Sequence, residues 1–375
     1  LQFNSAPEED PMCKKALLKA MLISVLLIFS GKALADEIVI AVAAPLTGPA
    51  ARAGSAVKKA ATIKVNEFNA AGGINGQDVE IVVMDEQCSP KKAVAVAKKI
   101  VEDTRILGVV GHVCTRAHLA ALATYVKEGV PVISPSVTAG AAISDKASDR
   151  KGRVWGFRTS HRDDYYSQSL ARYAKEFLNL NRVAVFYSKT GYGKEMRKGF
   201  VEEAKKIGLD IVKEKSFKTG AEDFTKDLTK AKKKDAEGLF ISGEPAEAAL
   251  IALQASKLGM DVPKFVDVLD DAKYLNLAKE AAENTFFAMP SLSKKPHWIF
   301  ANAFDATGIL LKAVIEVGPN RKKIREYVAS INSKEKSYDG MSGPVYFDEK
   351  GDCQRAPWIK TVVNSRFVPA PDQLH

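Results

Sequence analysis

Two short segments of this chain gather groups suited to holding an anion. Gly111-His112-Val113-Cys114-Thr115 and Ser134-Pro135-Ser136-Val137-Thr138-Ala139-Gly140 each bring hydroxyls to a point where a β-branched run gives way to a helical pattern. Backbone N–H groups at a helix start have no partner within the helix, and the helix dipole favours negative charge there. Thr115 and Thr138 are therefore candidates to donate to a carboxylate. The plain alternative is that each caps its own helix, and residue type alone does not choose between the two. Signatures of catalysis are missing: the sequence has no G-x-S-x-G elbow, no H-E-x-x-H pair and no Walker loop. Gly191-Tyr192-Gly193 lacks the third glycine of a dinucleotide fingerprint. The histidines at 112, 118, 161, 297 and 375 are scattered, and His112, although it falls in a candidate loop, reads as structural. The expectation is a binding protein, not an enzyme, with no cofactor and no metal.

The elements that must position these loops alternate along the chain. Ile38 to Ala44, Val79 to Met84, Ile106 to Val110 and Val130 to Ser134 read as buried strands, with helices at Ser55 to Asn69, Pro90 to Glu102 and Ala117 to Lys127 between them. Such a βαβ series demands a parallel sheet covered on both faces, and ligands bind beyond the carboxyl ends of its strands. A second series starts with a helix from Ser167 to Leu178. It continues through strands at Arg182 to Tyr187, Asp210 to Lys215, Gly238 to Ile241 and Lys264 to Val268, with helices at Lys194 to Ile207, Phe224 to Ala231 and Ala246 to Leu258. Arg150 to Asp164, polar and charged, reads as the crossover between the two. A strand at Thr285 to Ala288, helices at Trp298 to Val317 and Lys322 to Ser330, and extended segments near Val345 to Phe347 and Trp358 to Val363 complete the pattern. The fold class is thus α/β with two Rossmann-like lobes.

The front of the chain sets the compartment. Lys14, Lys15 and Lys19 precede the apolar run Met21 to Phe29, and Ala33-Leu34-Ala35 follows as a signal-peptidase site, which predicts cleavage after Ala35 and a periplasmic location. Residues 1–11 stand before Met12 and are set aside. The remainder carries 51 basic and 42 acidic side chains, the full chain having 55 and 45. Lys58-Lys59, Lys232-Lys233-Lys234 and Arg321-Lys322-Lys323 fall in helix or turn contexts as solvated faces, so no nucleic-acid partner is expected. Cys88, Cys114 and Cys353 survive cleavage. Cys88 and Cys114 follow successive strands and would meet at one edge of a parallel sheet, so these two are expected to pair, leaving Cys353 free. Cysteines 26 residues apart without a CxxC do not make a zinc site.

Several motifs, in this order and spacing, resemble the leucine/isoleucine/valine-binding family of type I periplasmic binding proteins. They are Pro45-Leu46-Thr47-Gly48-Pro49, Asn69 to Gly76, Asp85-Glu86-Gln87-Cys88-Ser89-Pro90, Val110-Gly111-His112 with Cys114, Ile133 to Ala139, Tyr192-Gly193, and Gly343-Pro344 with Phe347 to Asp352. The resemblance implies the Cys88–Cys114 disulfide and three crossings between lobes near residues 160, 290 and 340. Lobe one would hold 36–159 with 290–339, and lobe two 160–289 with 340–375. It implies that Thr115 and Thr138 hold a ligand carboxylate, while the backbone carbonyl of Ser136 and a second-lobe acid hold the ammonium. That acid is Asp270, with Asp267 and Asp271 within a register error, and Tyr192 closes over the ligand. The implied function is that of an ABC-transporter solute-binding protein, a monomer that takes an amino acid, branched-chain in the first instance, to a membrane permease. A ligand-sensing component, or a binder of another carboxylate, amide or aromatic acid, is the alternative. Ala53 beside Arg52, and Glu244, replace aromatics of the family pattern and point to a wider or more polar pocket.

Overall fold

The computed structural model describes residues 37–140, 145–267, 271–290 and 297–374. The expected signal peptide lies outside the described residues. The first strand, β1 (Ile38–Ala44), is buried at every position, as a strand covered on both faces must be. The chain continues through α1 (Ala51–Ala70), β2 (Val79–Asp85), α2 (Pro90–Glu102), β3 (Ile106–Gly111), α3 (Thr115–Glu128), β4 (Val132–Ser134) and β5 (Gly156–Arg158). The five strands form one sheet of order β2-β1-β3-β4-β5, parallel throughout. Helix starts follow local chemistry: Ser89 caps α2 by accepting from the Lys92 N–H, with Pro90 in the first helical position, where its missing N–H costs nothing.

A second sheet follows. Helix α4 (Asp163–Glu176) leads into β6 (Arg182–Ser188), α5 (Gly191–Ile207), β7 (Asp210–Phe217), α6 (Thr225–Lys233), β8 (Gly238–Ser242), α7 (Pro245–Lys257), β9 (Lys264–Asp267), α8 (Asp271–Ala278) and β10 (Thr285–Met289). The chain then returns to the first sheet with α9 (Trp298–Val317) and α10 (Arg321–Ser330). It passes back through the short hairpin β11 (Tyr338–Gly340) and β12 (Gly343–Val345), and ends in β13 (Trp358–Val363) and β14 (Arg366–Pro369). The second sheet has order β14-β13-β10-β9-β8-β6-β7; its β6 to β10 core is parallel, and β13, from the expected extended tail, pairs antiparallel with both β10 and β14, which makes the sheet mixed. The chain thus passes between the sheets three times.

Helix α9 is long and apolar enough to span a membrane by length and composition, but 78% of its most apolar window is buried inside the protein. It packs on α1 and on the first sheet. Its Asp305, fully buried, accepts from the N–H groups of Met341 (2.6 Å) and Ser342 (2.9 Å). From the start of α10, Arg321 donates to the carbonyls of Val101, Asp103 and Ile106, which fastens the end of the chain's first third to its last.

Two segments depart from expectation. The Arg150 to Asp164 stretch is no simple crossover, because it contains β5, buried along its whole length. Helix α4 starts at Asp163, four residues before Ser167, and Asp163 and Asp164 occupy the first turn, where the helix dipole favours acids. The Cys88–Cys114 disulfide is present with Cα atoms 5.4 Å apart, and Cys353 is free and buried. Protein cleaved after Ala35 and denatured without reductant should therefore expose one reactive thiol, from Cys353, and a non-reducing digest should yield a Cys88–Cys114 peptide. Three free thiols would overturn the pairing.

Candidate ligand-binding site

The two hydroxyl-bearing loops lie side by side at the carboxyl edge of the first sheet because side chains lace them together. Ser134 Oγ donates to the His112 carbonyl at 2.9 Å and accepts the Val137 N–H at 3.2 Å. Ser136 Oγ donates to the Val113 carbonyl at 3.1 Å. Gly111 approaches β1 so closely, at φ +145, that a Cβ would stand 2.1 Å from the Ala43 carbonyl oxygen, so only glycine fits. Thr115 is the first residue of α3, but Cys114 holds the N-cap position, so the capping reading of Thr115 falls. Behind this loop His112 is fully buried, its Nε2 3.2 Å from the Tyr125 hydroxyl, as a structural histidine would be. Burial holds neighbouring His118 down to about 3.

Thr138 reaches the other way. Its carbonyl accepts the Asp163 N–H at 2.9 Å, and its hydroxyl bonds the Asp163 carboxylate at the start of α4. Burial raises the Asp163 pKa, and Thr138 and the Arg158 charge oppose that rise. Gly140, two residues on, donates its N–H to the Glu195 carboxylate of α5. Burial, with Asp163 and Asp164 nearby, raises Glu195 as well.

From the second sheet, α5 is capped by Thr190, whose hydroxyl accepts the Gly193 N–H at 3.1 Å. This places Tyr192 so that its hydroxyl donates to Asp267 Oδ1 at 2.8 Å. Asp267 ends β9, and its Oδ2 is buried with no hydrogen-bond partner among the described residues. Burial pushes its pKa up to about 7; Asp163 adds to the rise and the Tyr192 hydrogen bond opposes it. Burial also lifts the Tyr192 hydroxyl far above the usual phenol value. Thr138, Asp163, Asp267 and Tyr192 are thus linked in a chain of polar neighbours, with Ser136 on the loop of Thr138 and Thr115 on the adjoining one.

Asp270 lies outside the described residues, and Asp267, three positions earlier, is the acid that meets Tyr192. Sequence reasoning did not single out Asp163 or Glu195; the acidic pair Asp163-Asp164 ahead of a helical pattern was the available signal. Ala53 is half-buried against the first core, while Arg52 and Glu244 are exposed, Glu244 at the N-cap of α7. No group of side chains suited to a metal ion occurs among the described residues.

Two α/β layers, three passages between them and polar groups of both brought together through Thr138, Asp163, Tyr192 and Asp267 define a two-lobed solute receptor. Residues 37–294 match the periplasmic binding protein family, and the chain belongs to it. The leucine-, isoleucine-, valine-, threonine- and alanine-binding protein of Pseudomonas aeruginosa is 28% identical over 85% of this chain and 88% of its own length. A structure from Rhodospirillum rubrum, assigned to a branched-chain amino acid ABC transporter, superposes with a TM-score of 0.79 at 23% identity, covering 89% of this chain and all of that one. The branched-chain amino acid transporter substrate-binding protein of Streptococcus pneumoniae, solved with isoleucine, has a TM-score of 0.58 at 26% identity over 88% of this chain and 97% of its own. These are binding proteins and not enzymes.

Proposed function

We propose that this chain is the extracytoplasmic solute-binding protein of an ABC transporter and captures an amino acid, branched-chain in the first instance, by closure of two lobes. The observation that carries the reading is the Tyr192–Asp267 pair set against hydroxyl-bearing loops of the other sheet. Thr115, Thr138 and neighbouring N–H groups answer a carboxylate; Asp267, with the Ser136 carbonyl, answers an ammonium. For Thr138 this requires its hydroxyl to exchange Asp163 for ligand. Lobe one comprises 36–159 with 290–339 and lobe two 160–289 with 340–375, so a ligand docked on the first loops gains the Tyr192 and Asp267 contacts only when the lobes close, and its greater affinity for the closed state shifts the equilibrium. The protein acts as a monomer in the periplasm after cleavage behind Ala35, and a membrane permease receives its ligand. The names of the relatives support the ligand class, since they bind leucine, isoleucine and valine.

Calorimetric titration with leucine, glutamate and an aromatic acid tests the reading, and failure of every amino acid to bind would end it. Thr115→Ala should weaken leucine binding by about 1.5 to 3 kcal/mol, the range for a hydrogen bond to a charged group, with little change in the melting temperature of the empty protein. Lost stability with unchanged affinity would remove Thr115 from the site.

A further inference from the structure

The motif Phe347-Asp348-Glu349-Lys350-Gly351-Asp352 lies far along the chain from the ligand loops, and the proposed function gives it no task. In the fold it is a tight turn. Asp348 Oδ1 accepts from the N–H groups of Lys350 and Asp352, each at 2.9 Å, and its Oδ2 accepts from Gln354 at 3.0 Å. Gly351, at φ +82, presses on β5 where a Cβ would meet the Gly156 carbonyl oxygen at 2.4 Å. The Arg158 N–H donates to the Gly351 carbonyl at 3.0 Å. The turn therefore delivers one side chain, Asp352, to Arg158 at the end of β5. Arg158 Nε donates to Asp352 Oδ1 at 2.5 Å, and Arg162 reaches Asp352 Oδ2 at 3.3 Å. Both Arg158 and Asp352 are 2% exposed.

The other end of the Arg158 guanidinium faces the ligand loop. Nη1 donates to the carbonyl of Val137 at 3.2 Å and of Ala139 at 2.7 Å, and Ser160 Oγ adds a second donor to Val137 at 2.8 Å. Carbonyl and N–H point in opposite directions across a trans peptide. Turning these two carbonyls toward Arg158 turns the N–H groups of Thr138 and Gly140 away from it. The Gly140 N–H indeed meets a carboxylate there, that of Glu195. The geometry points to Arg158 and Asp352 as a positioning pair: the Phe347–Asp352 turn locks the guanidinium, and the guanidinium fixes the direction of the N–H donors that select a carboxylate. Neither residue touches the ligand. The inference rests on the proposed amino-acid site and adds to it the device that sets carboxylate selectivity.

A fixed Thr138 N–H, joined by that of Gly140 where ligand displaces Glu195, separates leucine from leucinamide, which keeps the ammonium and side chain but offers no negative charge. Asp352→Asn retains an acceptor for Arg158 Nε, whereas Asp352→Ala releases the guanidinium. Breaking a buried pair can destabilise the fold, so the double variant Arg158→Met with Asp352→Leu removes both charges together. Affinities for leucine and leucinamide, with melting temperatures of the empty proteins, are to be measured for wild type, Asp352→Asn, Asp352→Ala and the double variant. Asp352→Ala and the double variant should lose about tenfold or more of the leucine-over-leucinamide preference, as for a charged hydrogen bond, and Asp352→Asn should retain most of it. An unchanged preference in the folded double variant would overturn the inference, even where stability falls. If wild type binds no amino acid, the proposed function fails first, and the pair has no carboxylate to select.

Discussion

Asp267→Asn is expected to bind leucine about 2 to 5 kcal/mol more weakly than wild type, the cost of removing one partner of a buried charged pair. Asparagine keeps the shape and still accepts from the Tyr192 hydroxyl, so the loss reports the charge. In the empty protein the Asp267 carboxyl is half-protonated near pH 7, because burial and Asp163 disfavour its ionised form. A ligand ammonium needs the ionised form, so binding expels a proton at and below pH 7. Affinity should rise with pH up to about 7 and level off above it, falling by up to tenfold per unit below. Its folded pKa stands above the ordinary carboxylate value, so Asp267 favours the empty fold below about pH 4 and that contribution is lost as pH rises through about 7. A bound ammonium would relieve the penalty at neutral pH. Among the described residues, the groups facing this carboxyl are Tyr192 of α5 and Asp163 of α4. Titrating wild type and Asp267→Asn from pH 5.5 to 8.5, about one and a half units either side of the shifted pKa, checks both parts. Equal affinities would exclude Asp267 from the site, and a pH slope surviving in the variant would assign the proton elsewhere.

Replacing Cys88 and Cys114 by serine should lower the unfolding free energy by about 3 to 4 kcal/mol, the chain-entropy estimate for a closed loop of this length. The effect should extend to the ligand. Cys114 holds the N-cap position of α3 immediately before Thr115, and Cys88 follows β2, so the bond ties the Gly111–Thr115 loop to the sheet's edge strand. Denaturant unfolding with and without leucine separates the two effects. A midpoint unchanged from wild type would mean that the laced loops and their packing hold this edge without the bond.

Much of the fold could be read from the sequence, wherever a run carried its own boundaries. Expected and observed limits coincide at Ile38–Ala44, Pro90–Glu102, Trp298–Val317 and Trp358–Val363. In the second of these, Ser89 and Pro90 mark the start chemically. The missed strand β5 shows the opposite case. Gly156-Phe157-Arg158 is three residues long and ends on a charge, which locally reads as a solvated loop. The Arg158 charge is answered by Asp352, 194 residues away, and no local pattern reports such a partner. The site divides in the same way. Thr115 and Thr138 stood out because hydroxyls at strand-to-helix turns carry a chemical reason. The acid opposite them was less legible: Asp267, Asp270 and Asp271 crowd one strand end with no periodicity to count by, and of these Asp267, which ends β9, is the one within the described side chains that meets Tyr192. Asp163 and Glu195 matter through contacts made only when two sheets meet.

The crossing topology also dictates an order of events in time. Elements α4 to β10 are continuous in sequence from Asp163 to Met289, so five adjoining strands of the second sheet can assemble as soon as that stretch is available. The first sheet is different: its strands come early, but one face waits for α9 and α10, whose last residue is Ser330. A chain emerging from its N-terminus therefore leaves apolar surface of the first sheet uncovered until nearly nine-tenths of it has appeared, and contacts of such sequence separation form slowly.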